Sequence, residues 1–350
     1  MTRPLRVFLV DDAAIVRRML TDALARAPGM AVVGTAPSGK LALSKLPTVH
    51  ADAVVLDLEM EGMDGLETLA AIREQWPNLP VIMFSAFTAK ASAVTIDALL
   101  MGANDYVTKP SALRNMFADK VCDELIEKIK TACAKYVDVN EPHGPMSVPL
   151  GTTRPVVSPP SGRLEAVVIG LSTGGPNALA TLLPKLGADF PLPVLIAQHL
   201  SERFTGLLAQ RLDALGPLRV KEAMSGDAPT AGNVYIAPGD RHMALEIDSG
   251  APRLRVYQGP HENFCRPSVD ILFRSAAEVY GGRVLAVIMT GLGQDGLRGC
   301  ELVRARGGQV IAQDERTSVV WGMPGSVAKA GLADEVLPLE SLGPEIRRRA

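Results

Sequence analysis

The chain has 350 residues, of which 47% are hydrophobic and 21% charged, and its formal net charge is −2 at pH 7. This length exceeds what one hydrophobic core ordinarily serves and predicts a globular protein of two domains. A net charge near zero gives no electrostatic reason to expect binding to nucleic acid. The sequence also contains no apolar run long enough to cross a membrane and no signal-peptide core.

The same features predict where the protein works. The four cysteines form no Cys-x-x-Cys pair and no zinc-binding spacing, so we expect reduced thiols. We therefore expect a cytoplasmic protein without membrane insertion. We also expect it to be a monomer.

Short apolar strands alternate with helices over the first 130 residues. The predicted strands are Val7–Val10, Met30–Ala36, Ala53–Leu56, Val81–Phe84 and Asp105–Thr108. The helices between them are predicted at 15–24, Gly39–Leu46, Leu66–Gln75 and Ala93–Met101. This alternation predicts a doubly wound parallel sheet, whose functional residues gather at the carboxyl ends of its strands.

Polar side chains stand at these strand ends, namely Asp11, Asp12, Asp57, Ser85 and Lys109. Three carboxylates on one edge repel one another unless a hard cation neutralises them, and Mg²⁺ suits oxygen ligands. Lys109 and Ser85 supply a positive charge and a hydroxyl for a phosphoryl group. The set predicts phosphoryl transfer onto a carboxylate, with Asp57 as the nucleophile.

Residues 5 to 130 resemble the receiver domain of two-component response regulators. The resemblance implies that Asp57 is the phosphoacceptor, and that a histidine kinase of the pathway is the phosphodonor. It implies that Mg²⁺ is bound by Asp11, Asp12, Asp57 and the backbone carbonyl of Glu59.

The resemblance also implies that Ser85 and Lys109 contact the phosphoryl group and that Tyr106 is the aromatic switch. Tyr106 has the alternative of being an ordinary half-buried strand aromatic. The chain departs from the receiver pattern at Glu61, where receivers usually carry proline. That change makes the loop less rigid but removes no ligand.

A final amphipathic helix is predicted at Lys120–Tyr136, and the composition then changes. Six prolines between 142 and 160 leave little room for helix or sheet. We therefore predict a receiver domain at 1–136, a Pro-rich linker at 137–163 and a catalytic domain at 164–350.

The second domain has the same α/β pattern with an antiparallel hairpin inserted. Its predicted strands are Val167–Leu171, Val194–Ala197, Val220–Ala223, Asn233–Ala237, Met243–Ile247, Arg253–Tyr257, Val284–Met289, Gln309–Ala312 and Val336–Leu339. Its predicted helices are Pro176–Leu183, Ser201–Leu215, Pro267–Val279 and Leu297–Arg306. The pattern predicts a largely parallel, Rossmann-like doubly wound sheet.

Ser172 stands in a Gly-rich turn between a buried strand and a helix, within Gly170-Leu-Ser-Thr-Gly174. This Gly-x-Ser-x-Gly pattern would present a hydroxyl at the sheet edge beside free backbone N–H groups, although such turns also occur in packing or phosphate binding.

A serine nucleophile needs a base and an orienting acid. His199 and Asp295 each follow a buried strand and would share that edge. His242 and His261 lie near turns of the hairpin and are interpreted as surface residues.

The chain order Ser, His, Asp differs from that of the α/β-hydrolases, so the motif does not predict a lipase-like fold. Residues 164 to about 340 closely resemble the catalytic domain of the chemotaxis protein-glutamate methylesterases. The segments that carry the resemblance are Gly170-Leu-Ser-Thr-Gly-Gly-Pro, Gln198-His199, Tyr235-Ile-Ala-Pro-Gly, Arg266-Pro-Ser-Val-Asp-Ile-Leu-Phe, Thr290-Gly-Leu-Gly-Gln-Asp-Gly and Gly322-Met-Pro.

The resemblance implies a serine carboxylesterase that hydrolyses glutamate methyl esters on methyl-accepting chemoreceptors and also deamidates receptor glutamines. Ser172 would attack, His199 would act as general base and then acid, and Asp295 would orient His199, with no cofactor in this domain. Backbone N–H groups of Thr173 and Leu292 would hold the oxyanion. Arg266, Ser268 and Asp270 begin a helix, where they either line the cleft or cap the helix.

Together the two resemblances predict an esterase activated when phosphorylation of Asp57 releases a receiver that covers Ser172. One alternative is a non-enzymatic response regulator, which would lack a residue of the triad. Another is a nucleotide-binding unit, which would need a phosphate-binding glycine motif that the chain lacks.

Overall fold

We describe a computed structural model of the chain, covering residues 3–86, 88–109, 115–137 and 163–350. The chain divides into two compact units, residues 1–150 and 151–350. The linker expected at 137–163 lies almost wholly outside the described residues, so the exact domain boundaries stay predictions.

A parallel sheet with helices around it forms the described part of the first unit. Its strands are β1 (Leu5–Val10), β2 (Met30–Ala36), β3 (Ala53–Asp57), β4 (Val81–Ser85) and β5 (Asp105–Thr108). Its helices are α1 (Ala14–Arg26), α2 (Gly39–Val49), α3 (Gly65–Gln75), α4 (Ala89–Leu100) and α5 (Asn115–Val137). The strand order β2-β1-β3-β4-β5 confirms the predicted flavodoxin-like arrangement.

The order of the strands reverses at β1 and β3, which pair directly with each other. In such a sheet the helices that follow β1 and β3 diverge to opposite faces and leave a crevice at the carboxyl ends. Asp11 follows β1, and Asp57 ends β3. The crevice therefore receives both carboxylates.

The loop after Asp57 is held tightly against the strand end. A capping box between Asp64 and Glu67 starts α3, and the N–H of Gly65 donates to the carbonyl of Leu58 at 3.0 Å. A Cβ on Gly65 would lie 2.3 Å from the Asp57 carbonyl oxygen. Only glycine allows this close approach, and the approach fixes the backbone of Asp57.

The second unit has a larger parallel sheet and a separate antiparallel hairpin. Its strands are β6 (Ala166–Leu171), β7 (Val194–Gln198), β8 (Arg219–Glu222), β9 (Asn233–Ile236), β10 (His242–Asp248), β11 (Ala251–Tyr257), β12 (Val284–Ile288), β13 (Gln309–Gln313) and β14 (Glu335–Leu337). Its helices are α6 (Gly175–Leu182), α7 (Glu202–Leu215), α8 (Val269–Tyr280), α9 (Leu297–Ala305), α10 (Met323–Lys329) and α11 (Leu339–Arg349).

The large sheet has the order β14-β13-β12-β6-β7-β9-β8, and β10 pairs with β11 alone. Both the parallel sheet and the inserted hairpin were predicted and are confirmed. Strands β12, β6 and β7 are neighbours at the centre of the sheet, and every residue in them is buried. Their carboxyl ends, which precede Ser172, His199 and Asp295, therefore share one edge.

Two helices near the end of the chain, α10 and α11, were not predicted from the sequence. The last strand stops at Leu337, and Leu339 begins α11 instead of ending the strand. Gly343 and Pro344 make this segment a poor helix by propensity, but Leu342 and Ile346 are fully buried. Packing of that apolar stripe outweighs propensity. Helix α10 tolerates Pro324 because the proline lies in its first turn.

Across the parts of the chain that the structure describes, no helix combines the length and apolar character that a membrane-crossing segment needs.

Candidate active site and phosphorylation site

Ser172 lies directly after β6, and its backbone is fixed on both sides. Its N–H donates to the carbonyl of Thr290 at 2.9 Å. Its carbonyl accepts the N–H of Gly175 at 2.9 Å and the side-chain amide of Gln198 at 2.9 Å. Gln198 also donates to the carbonyl of His199 at 3.1 Å. One buried amide thus links the turn of Ser172 to the strand end that carries His199.

Two glycines allow the chain to approach Ser172 closely. A Cβ on Gly175 would lie 1.9 Å from the side-chain oxygen of Gln198. A Cβ on Gly291 would lie 2.8 Å from the Cβ of Ser172 and 2.4 Å from the sulfur of Met323. Side chains at these positions would push the Ser172 turn away from its neighbours.

His199 is brought beside this turn by the pairing of β6 and β7. Its backbone N–H donates to the carbonyl of Leu171, the residue before Ser172, at 3.0 Å. Its ring nitrogen Nε2 lies 2.8 Å from Oδ2 of Asp295, and Nδ1 lies 3.6 Å from the sulfur of Cys265. Burial disfavours the charged ring, but the bonds to Asp295 and Cys265 outweigh it and raise the pKa of His199 to about 9.

Asp295 is fully buried and accepts five hydrogen bonds. Its donors are Nε2 of His199, the N–H of Val269, the N–H of Asp270, the side-chain amide of Asn263 and the hydroxyl of Ser268. Burial alone would raise the pKa of Asp295, but these donors, His199 first among them, hold it at about 2. Asp295 is therefore a fixed anion that orients His199.

The structure brings Ser172, His199 and Asp295 to one sheet edge but does not link all three by hydrogen bonds. Among the described residues, the hydroxyl of Ser172 has no hydrogen-bond partner, and the ring nitrogens of His199 contact Asp295 and Cys265. Because Nε2 contacts Asp295, Nδ1 is the nitrogen left for proton transfer. Catalytic hydrogen bonds commonly tighten only when substrate binds.

The start of α8 supports the position of Asp295. Ser268 is the N-cap, accepting the N–H of Ile271 and donating its hydroxyl to Oδ1 of Asp295. Asp270 is buried and accepts the N–H groups of Gly296 and Gly299 at 3.0 and 2.6 Å. Ser268 therefore caps the helix, which is one of the two predicted alternatives. Asp270 fixes the segment after Asp295 by accepting its backbone N–H groups. Arg266 instead forms an ion pair with Asp240.

The interpretation of His242 as a surface residue is wrong. Its side chain is completely buried, its Nε2 lies 2.8 Å from the carbonyl of Pro260, and its Nδ1 accepts the N–H of Ser268. His242 begins β10, and β10 packs against α8. The sequence alone did not reveal this packing or the burial of the imidazole. His261 is exposed, as predicted.

The predicted oxyanion donors stand on two segments that meet at Ser172. Thr173 is the next residue in the turn, and its carbonyl accepts the hydroxyl of Thr290 at 2.9 Å. Leu292 lies two residues after Thr290, whose carbonyl accepts the Ser172 N–H, and its side chain points outward with 57% exposure. An exposed side chain is consistent with use of the backbone amide alone.

In the first unit, Lys109 joins the two carboxylates of the crevice. Its ammonium lies 2.8 Å from Oδ2 of Asp11 and 2.8 Å from Oδ2 of Asp57. Burial raises the pKa of Asp57 to about 6, although Lys109 opposes that rise. Burial disfavours the charged Lys109, yet Asp57 and Asp11 raise its pKa. The crevice is a compact and strongly polar site.

The donor set fits a hard divalent cation. Asp11, Asp12 and Asp57 each offer a carboxylate oxygen, and these atoms lie within 4.8 Å of one another. Oδ2 of Asp11 is buried, and its partner among the described residues is the Lys109 ammonium. A buried carboxylate with so few donors is suited to a cation with oxygen preference. Glu59 lies next to the cluster, because its N–H approaches Oδ1 of Asp57 at 3.3 Å.

Ser85 and Tyr106 lie on the adjacent strands β4 and β5. Ser85 is buried, and its hydroxyl lies 3.0 Å from that of Thr95, which is completely buried in α4. Tyr106 is half-buried, with the ammonium of Lys128 at 4.7 Å from its ring centroid. The switch function of Tyr106 stays a prediction.

Three residues near these sites were not identified by sequence reasoning, namely Asn263, Cys265 and Thr95. None belongs to a motif, and each reaches its site through folding of distant segments. Asn263 has a positive φ of 52°, which turns the chain towards Asp295 and Asp270. An asparagine in the run Asn263-Phe-Cys-Arg-Pro is a weak turn signal that sequence alone could not connect with Asp295.

Comparison with known proteins identifies relatives of both units. Residues 167–346 match the family model described as CheB methylesterase, and residues 7–119 match the response regulator receiver domain. A protein of Trichodesmium erythraeum named protein-glutamate methylesterase/protein-glutamine glutaminase is 46% identical over 346 residues, covering 98% of each chain. A Caulobacter vibrioides protein of the same name, numbered 2, is 46% identical over 99% of each chain.

The second unit is similar to a solved structure. The crystal structure of the Thermotoga maritima CheB methylesterase catalytic domain is 42% identical in sequence, with a TM-score of 0.53. It covers 54% of this chain, and this chain covers all of it.

Proposed function

This chain belongs to the CheB methylesterase family, and we propose that it hydrolyses glutamate methyl esters on methyl-accepting chemoreceptors, releasing methanol. We propose that it also deamidates receptor glutamines, as the names of its relatives suggest. The observation that carries the proposal is the bond of 2.8 Å between His199 and Asp295 at strand ends beside Ser172. This arrangement supplies the base and orienting acid that a serine nucleophile requires.

In the proposed mechanism, Ser172 Oγ attacks the ester carbonyl while its proton passes to Nδ1 of His199. Collapse of the tetrahedral intermediate breaks the bond to the methoxy oxygen, which takes that proton and leaves as methanol. Water then attacks the acyl-enzyme by the same path and regenerates Ser172. Asp295 stays ionised and stabilises the imidazolium, as its low pKa requires. An amide substrate follows the same steps and releases ammonia.

We assign the oxyanion to the backbone N–H groups of Thr173 and Leu292. Thr173 directly follows Ser172, and Leu292 lies two residues after Thr290, whose carbonyl accepts the Ser172 N–H, which supports the assignment. Removing one such donor typically costs about 10²- to 10³-fold in rate. The catalytic unit needs no cofactor for this chemistry.

For the receiver, we propose that Asp57 is phosphorylated by a chemosensory histidine kinase and that this raises the esterase rate. Asp11, Asp12, Asp57 and the carbonyl of Glu59 would hold Mg²⁺, which neutralises charge on the phosphoryl group when bound. Lys109 and Ser85 would contact the phosphoryl oxygens, and Tyr106 would respond as the switch. The cluster of carboxylates around Lys109 supports these assignments. We also propose a monomer acting in the cytoplasm.

Methanol release from methylated receptor, measured with and without a small phosphodonor, tests both the catalytic and the regulatory proposal. We expect phosphodonor to raise the rate in the unmodified chain and not in Asp57→Asn. Ser172→Ala should lose activity by at least about 10³-fold. Full activity in Ser172→Ala would overturn the catalytic assignment, and equal rates with and without phosphodonor would overturn the regulatory one.

A further inference from the structure

Cys265 lies beside the proposed catalytic base but has no part in the proposed hydrolysis. Its sulfur is 3.6 Å from Nδ1 of His199 and 3.3 Å from the carbonyl of Asn263. The thiol is partly exposed, whereas the other three free cysteines are buried. The 13% exposure of the His199 side chain gives small solutes access to the pair.

The spacing between the two atoms matches that of two ligands on one tetrahedral metal ion. Zinc binds thiolate sulfur at about 2.3 Å and imidazole nitrogen at about 2.0 Å. At a tetrahedral angle, these bond lengths separate the sulfur and nitrogen by roughly 3.5 Å. The observed 3.6 Å therefore needs almost no rearrangement to accept the ion.

The surroundings of His199 provide a second, independent observation. Histidines that bind metal usually donate their other ring N–H to a carboxylate, which fixes the tautomer and the ring orientation. Nε2 of His199 lies 2.8 Å from Oδ2 of Asp295, so Nδ1 is the ring nitrogen that faces Cys265. With five donors already bound, Asp295 is an orienting group and not a further ligand.

We propose that Zn²⁺, or a divalent cation of similar softness, binds Nδ1 of His199 and Sγ of Cys265 and thereby inhibits the enzyme. The thiol proton passes to solvent as the sulfur–metal bond forms. Where the imidazole is protonated, its Nδ1 proton passes to solvent as well, and no atom changes oxidation state. Water occupies the remaining metal positions. The bound ion takes the lone pair that Ser172 needs for proton transfer, so the inhibitory part of this inference rests on the proposed function.

The donor chemistry separates this site from the cation cluster of the receiver. Sulfur and imidazole ligands favour zinc, whereas the carboxylates of Asp11, Asp12 and Asp57 favour Mg²⁺. An excess of Mg²⁺ therefore fills the receiver cluster and leaves the Cys265 site open to softer ions.

Titration of the full chain with Co²⁺, in excess Mg²⁺, tests the site without reference to catalysis. Cobalt bound to a thiolate has a charge-transfer absorption that carboxylate-bound cobalt lacks. We expect the absorption in the unmodified chain and in Cys122→Ser, its loss in Cys265→Ser and His199→Ala, and its removal by Zn²⁺. Absence of the absorption from the unmodified chain, or its persistence in Cys265→Ser, would overturn the site.

Zinc inhibition of methanol release tests the consequence. We expect inhibition that a chelator reverses, and an inhibition constant at least tenfold weaker in Cys265→Ser, with each variant compared with its own metal-free rate. Equal inhibition of both chains would overturn the inhibitory role even if the cobalt absorption is present. Failure of the metal-free chain to release methanol would refute the proposed function instead, while the cobalt titration still decides whether the site exists.

Discussion

His199 and Asp295 contact each other through Nε2 and Oδ2 at 2.8 Å, and the N–H of Val269 reaches the same carboxylate oxygen at 2.7 Å. The buried carboxylate therefore cannot turn away from the imidazole without losing other hydrogen bonds. This relationship leaves Nδ1 as the ring nitrogen available for the proposed proton transfer. It also holds the pKa of the two groups far apart, at about 9 for His199 and about 2 for Asp295.

The first prediction concerns the pH dependence of hydrolysis. His199 must be neutral to act as a base, so kcat/KM should rise with pH up to about 9, the pKa of His199. Asp295→Asn removes the charge that stabilises the imidazolium and should move the midpoint to lower pH. It should also lower the maximum rate by about 10³- to 10⁴-fold. An unchanged midpoint in the variant would contradict the assignment.

The second prediction concerns stability and pH. The raised pKa of His199 contributes stability that is complete below about 6.5 and is lost as pH rises through about 9. The lowered pKa of Asp295 contributes stability that is present above 3.8 and is lost as pH falls through about 2. The pair should therefore stabilise the fold most between these limits, from about pH 4 to 6.5.

Denaturant unfolding of His199→Gln at several pH values measures this effect. Breaking a buried ion pair typically costs about 3 kcal/mol, and we expect the difference from the unmodified chain to shrink towards pH 9. A difference that stays constant from pH 5 to 9 would mean that the ion pair does not titrate in this range.

The third prediction concerns Gly291. In Gly291→Ala the new methyl group would meet the Cβ of Ser172 at 2.8 Å, so we expect at least a tenfold loss of kcat. Gly206→Ala in α7 is the matched control, because its nearest neighbour lies at 3.7 Å and alanine favours helix. Steady-state methanol release and thermal unfolding of both variants check the prediction. Equal kcat in the two variants would show that the Gly291 contact is unimportant.

The fourth prediction concerns Asn263 as a positioning residue. Asn263→Ala removes the donor to Oδ1 of Asp295 and Oδ2 of Asp270, so we expect about a tenfold lower kcat with little change in KM. Asn233→Ala is the control, because its amide bonds only exposed partners beside β9. A purely structural effect would lower the melting temperature and leave kcat of the remaining folded enzyme unchanged.

The fifth prediction concerns Thr95 in the receiver. Thr95→Val keeps the shape but removes the hydroxyl that lies 3.0 Å from that of Ser85. We expect slower phosphorylation of Asp57 by a small phosphodonor and a loss of about 1 kcal/mol in stability. Thr181→Val removes a comparable bond to the fourth preceding carbonyl in α6 and should leave phosphorylation unchanged. Identical phosphorylation rates would exclude a contribution of Thr95 to the site.

Most of the fold could be predicted because buried parallel strands have unambiguous patterns. The apolar runs before Asp57, Ser172 and His199 are fully buried in the structure, and a polar residue after such a run must lie at the sheet edge. The exceptions lie where packing opposes local propensity. Helix α11 forms in spite of Gly343 and Pro344 because Leu342 and Ile346 are buried, and propensity alone cannot anticipate that burial.

The sequence by itself determined which strand ends carry Ser172, His199 and Asp295, because alternation along the chain and the position of polar residues are local properties. Only the tertiary structure decided which ring nitrogen of His199 contacts Asp295, that His242 is buried, and that Cys265 lies 3.6 Å from Nδ1. These contacts join residues far apart in the chain, across β7, α8 and the loop after β12. Their distances depend on how helices pack on the sheet, which no local pattern encodes.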